Sequence, residues 1–93
     1  MTIGFCRLTL FLADSGSLKH KRGILKSLTS RVRNRFNVSV AEVADNDVWQ
    51  KAVLGVAVVA NDSRYANQVL SKVVSLVESD PRLQVVDYSL EML

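Results

Sequence analysis

From Ala52 to Ala60 the chain carries no polar side chain. A strand with one wet face alternates apolar and polar residues. One that is apolar on both sides belongs in the middle of a sheet, with layers above and below. The run Lys51 to Ala60 is therefore read as a central strand, and the chain must supply its neighbours. At this length it falls far short of the ~18 apolar residues that suggest a membrane span.

Those neighbours are legible in the periodicities. Thr2 to Leu12 alternates as a strand: Gly4, Cys6, Leu8, Leu10 and Leu12 face a core, and Ile3, Phe5, Arg7, Thr9 and Phe11 lie opposite. The turn Ala13 to Ser17 follows, with Ser17 as the expected N-cap. From about Leu18 to Arg35, Leu18, Ile24, Leu25, Leu28, Val32 and Phe36 share one helical face, and Lys19, Arg22, Lys26 and Arg33 another. Lys21 falls nearer the apolar arc, so its stem is expected to pass the core edge and bring its charge to water. Gly23 costs up to about 1 kcal/mol inside a helix, which predicts a close approach to the sheet or to a partner. Asn37 ends the helix, and Val38 to Ala44 forms the second strand. The turn residues Asp45, Asn46 and Asp47 precede Trp49 and the central strand. Ala66, Val69, Leu70, Val73, Leu76 and Val77 mark a second amphipathic helix, ended by Ser79, Asp80 and Pro81. In the last strand, Arg82 to Met92, Val86, Tyr88, Leu90 and Met92 form one face, and Leu83 and Val85 begin the other.

The order β-α-β-β-α-β predicts a single α+β domain over residues 1–93. It is a ferredoxin-like sandwich, a four-stranded antiparallel sheet with two helices on one face.

Charge is unevenly placed. Between Ser17 and Phe36 lie 7 of the 12 Lys and Arg residues and no acid, although the whole chain is only +3. The remaining 5 basic and 9 acidic residues leave the rest of the chain at −4. An acidic body with one basic segment suits an anionic partner. A helix N-terminus already carries positive partial charge, so cations crowded into the first turn are locally unfavourable. Free backbone amides beside them favour a bound anion. Ser17, Lys19, Lys21, Arg22, Lys26 and Arg33 are accordingly the candidate anion- or nucleic-acid-binding residues, against the competing reading of a solvated face.

Other chemistry is poorly supplied. His20 stands among cations, where an imidazole makes a poor base. Cys6, the only cysteine, lies on the apolar side of its strand without an activating partner. Glu42, Asp45 and Asp47 are too few for a hard-cation site. No enzyme activity, metal or cofactor is expected. A lone cysteine, and an N-terminus without the pattern of a secretory signal, suggest a cytoplasmic protein with no membrane association.

Two helices on one side leave the other sheet face open. Phe5, Phe11 and Trp49 are the candidate partner or oligomer contacts, and a homo-oligomer is expected. RNA-binding modules of this topology stack bases on aromatics of strands one and three. Strand three has none here, and Phe5 and Phe11 are expected to be mostly buried.

Ser17 to Arg22, Phe36 to Val43, and Trp49 with Gln50 resemble the YlxP-like family of small uncharacterised bacterial proteins, over nearly the whole chain. The resemblance implies a ferredoxin-like fold and a bacterial cytoplasmic setting. Genes of that family often neighbour those for transcription and translation factors, which leans towards RNA or a ribosomal particle as partner. It implies no activity and no functional residues. The expectation is a non-enzymatic, RNA- or ribosome-associated binding protein using the basic helix. The alternative is an oligomeric regulatory or small-molecule-binding module, or a protein-interaction adaptor, using the open sheet face.

Overall fold

Six elements occur in the expected order: β1 (Thr2–Phe11), α1 (Leu18–Arg35), β2 (Ser39–Ala44), β3 (Lys51–Ala60), α2 (Ser63–Glu78) and β4 (Gln84–Met92). The computed structural model describes residues 1–93. Every strand pairing is antiparallel, and the sheet order is β2-β3-β1-β4. Both helices contribute to one continuous core against one face of the sheet. This is the ferredoxin-like α+β fold. No helix is long and apolar enough to cross a membrane.

The core follows the period-2 and period-3.6 stripes. Cys6, Leu8, Leu10 and Leu12 are fully buried under Ile24, Leu25, Leu28 and Val32 of α1 and Ala66, Leu70, Val73 and Val77 of α2. Gly4 lets α2 sit close to the sheet, since a Cβ there would lie 3.0 Å from Leu70 Cδ1 and 3.2 Å from Ala66 Cβ. Burial pushes the Cys6 thiol up to about 11. It therefore stays protonated at neutral pH and acts as a packing group. Ser17 Oγ accepts from the His20 amide at 3.0 Å, and Asp62 Oδ1 from the Tyr65 amide at 2.8 Å, so each helix starts on a side-chain cap.

Four expectations are corrected. Gly23 makes no close approach to the sheet: a Cβ there would meet nothing within 4 Å. Gly23 instead faces open space. In β4 the pairing with β1 slips between Thr9 and Leu10, so that Leu10 opposes Val85 while Thr9 opposes Asp87. Val86 is the extra residue of a β-bulge. The bulge reverses the parity, so Leu83 and Val85 join Leu90 and Met92 against the core, while Val86 is exposed.

The third correction concerns β3. It is central, yet covered on both faces only over part of its length. Val53 and Gly55 are buried on the side away from the helices, whereas Val59 is 67% exposed. The Phe5 ring lies over Gly55, where a Cβ would be 3.4 Å from Phe5 Cε2 and 3.0 Å from Val43 Cγ1. A glycine thus lets one aromatic roof the middle of the open face. Lastly, Phe5 is half-buried by this arrangement, but Phe11, at the strand end, is exposed.

Candidate functional site

α1 presents its cations in two very different settings. Lys19, Arg22 and Lys26 are exposed and make no ion pair with a carboxylate. No acid lies between Asp14 and Glu42 to offset them. Arg33 continues their stripe at the helix end, with Nη2 donating to the Val40 carbonyl at 2.9 Å. Lys19, Lys26 and Arg33 are seven residues apart, about 10.5 Å each at 1.5 Å rise per residue. Arg33 and Arg35 also sit where the helix dipole favours cations, a reason for being there that Lys19 and Arg22 lack.

Lys21 is not part of this surface, contrary to the expectation that it would contact phosphate. Its side chain is completely buried. Nζ donates to the carbonyls of Asp45 at 2.7 Å, Val48 at 2.7 Å and Lys51 at 2.9 Å, with that of Asn46 at 3.4 Å. The three short bonds use the three N–H donors of an ammonium. Glu42 Oε2 approaches to 2.8 Å as a charge contact rather than an aligned hydrogen bond. The stem does not carry the charge to water because the β2–β3 turn folds over it and supplies the solvation. Glu42 and the turn, weighed above as cation ligands, thus converge on the protein's own ammonium.

The turn so held carries Trp49, which is 55% exposed. Asp45 adopts a left-handed φ of 59° there, and its carboxylate pairs with Lys51 at 3.3 Å. Gln50 ties the same segment to the β1–α1 turn, its Nε2 donating to the Ala13 carbonyl at 2.9 Å. Beside α1's first turns, Ser17, Lys19, His20, Gly23, Ile24 and Arg82 line a shallow cleft. Arg82 is already committed: it pairs with Asp80 at 2.7 Å and donates to Ser27 Oγ at 3.3 Å.

A family model described as "Protein of unknown function (DUF503)" matches residues 3–90. The chain belongs to that family. The chain is also 37% identical over 82 residues to the uncharacterized protein YlxP of Bacillus subtilis (strain 168), covering 88% of this chain and 89% of the relative.

In this DUF503 domain the structure brings together Ser17, Lys19 and Arg22 at one end of α1, with Lys26 and Arg33 extending the stripe. Ser17 serves as the cap. Phe5 and Trp49 are kept apart: Phe5 roofs the sheet, whereas Trp49 stands on the β2–β3 turn at the N-terminal end of α1. The sequence reading missed Arg82 as a wall of the cleft. Its signal was the spacing Asp80, Pro81, Arg82, in which an acid and an arginine bracket a helix stop.

Proposed function

We propose that this protein is a non-enzymatic RNA-binding protein of the bacterial cytoplasm, with structured RNA or a ribosomal particle as its partner. The supporting observation is the stripe Lys19, Arg22, Lys26 and Arg33, exposed on a helix that contains no acid. Such a stripe holds phosphates without reading bases, so binding is weakly sequence-specific and salt-sensitive. With about four phosphate contacts, affinity falls about 50-fold for single strands and about 150-fold for duplex between about 50 and about 200 mM salt. Titration of labelled RNA and of ribosomal subunits at both salts checks this. The double variant Lys19→Ala, Arg22→Ala weakens binding and flattens the salt slope. Absence of binding at low salt sinks the proposal.

A second reading is favoured by a separate observation. The open face exposes Ile3, Phe11, Val43 and Val59, and also carries Arg7 together with the acidic row Asp87 and Glu91 of β4. With Arg7 in the middle of β1, apolar side chains towards both ends of the face and the acids along edge strand β4, such a face complements a second copy of itself. Sedimentation at rising concentration is expected to show a dimer that Val59→Glu dissociates. A monomer throughout overturns the reading.

A further inference from the structure

We propose that Trp49 is a stacking platform for an unpaired RNA base, placed where the phosphate-binding stripe of α1 begins. The proposal rests on the RNA reading of α1 and extends it to a kind of ligand: single-stranded segments rather than continuous duplex.

Three observations converge on the indole. It is exposed, and the residue before it, Val48, is exposed as well. Its backbone is pinned on both sides, since Lys21 Nζ binds the carbonyls of Val48 and Lys51. Gln50, the next residue, is fastened twice to the β1–α1 turn, through Nε2 to the Ala13 carbonyl and through its own carbonyl to the Leu12 amide at 2.8 Å. An aromatic on a pinned backbone loses little further freedom on binding. A core packing role would not leave it exposed.

Its position supplies the rest. Lys21, in the first turn of α1, reaches inward to the turn on both sides of Trp49, while Lys19 and Arg22 leave the same stretch of helix on its exposed side. The indole and the first cations of α1 therefore share one end of the domain. Base stacking on an aromatic beside a basic track is the usual chemistry of single-strand recognition, and it tolerates any base because each has a π-face. A duplex hides its bases and can offer only its phosphates.

Trp49 is the only tryptophan, so its emission reports on this residue alone. The experiment titrates the intact protein with a labelled, unpaired oligoadenylate and with a blunt RNA duplex of equal charge. Anisotropy and indole fluorescence are read together. The expected result is quenching by the single strand, and single-strand affinity about 5- to 150-fold lower in Trp49→Ala. Trp49→Phe retains most of that affinity, and duplex binding is unchanged in both variants. If the oligoadenylate binds with the expected salt dependence but emission stays constant and Trp49→Ala binds equally well, stacking is overturned and the α1 reading stands. If neither RNA binds at low salt, both fall. An emission shift that follows protein concentration alone assigns the indole to a protein contact and overturns the proposal.

Discussion

Lys21→Met lowers the stability of the domain by about 3–5 kcal/mol, the range for breaking a buried charge pair by removing one partner. Methionine replaces the stem, so the loss isolates the ammonium from the packing around it. The carbonyls of Asp45, Val48 and Lys51 lose their donor, and Glu42 keeps a mostly buried charge without its counter-ion. Against a total of about 5–15 kcal/mol for a domain, this is a large fraction. Each kcal/mol shifts Tm by about 4–8 °C at this size, so thermal unfolding moves by at least about 12 °C. Arginine is no substitute, because its planar fork cannot point donors at carbonyls that surround one atom. A loss under about 1 kcal/mol in urea titration would place the ammonium among ordinary exposed charges and contradict the structure.

Asp80→Asn has the next largest effect, about 1.5–3 kcal/mol at neutral pH, the range for hydrogen bonds to a charged group. The Asp80 side chain is fully buried. Oδ1 accepts from the Arg82 amide at 2.9 Å and from Arg82 Nε at 3.0 Å, while Oδ2 accepts from Arg82 Nη2 at 2.7 Å and Arg31 Nη1 at 3.4 Å. One carboxylate thus joins the end of α2, the start of β4 and the flank of α1. The hydrogen bond from the Arg82 side chain, helped by its amide and by both guanidinium charges, outweighs burial and holds the carboxyl below its ordinary value of 3.8. A depressed carboxylate contributes stability above the unfolded value, and that contribution is lost as pH falls through the folded one. The gap between wild type and Asp80→Asn in urea midpoint should therefore be full at neutral pH and close well below pH 3.8. A gap that widens on acidification contradicts the assignment.

These two residues also mark where sequence stops informing. The element order and both helix stripes were legible, because they depend on apolar side chains repeating at 2 or 3.6 residues. Lys21 lay visibly near the apolar arc, which pointed to burial of its stem. Its acceptors are backbone carbonyls, present at every residue and therefore silent in any sequence. Asp80 read only as a helix stop, since its arginine partners depend on how α1 and α2 pack. The β4 bulge was hidden for a related reason. A bulge adds one residue without changing composition, and alternation then reads correctly on each side but in opposite phase. Phe5 and Phe11 look alike on one strand face, yet only Phe5 has a glycine opposite its ring. Of the candidate cations, Lys19, Arg22 and Lys26 lie on the exposed helical face that the periodicity predicts, which needs no tertiary information, whereas the bond from Arg33 to the Val40 carbonyl of β2 does need it.

The cage around Lys21 grips peptide carbonyls and, in the turn itself, no side chain. The shape of the hairpin tip is thereby uncoupled from its lettering: positions 46 to 49 can change identity while the path of the chain stays fixed. Such a tip can be re-addressed to a new partner by substitution alone, with the lysine as the side chain from outside the hairpin that holds it. For a grafted recognition loop this is a ready mount.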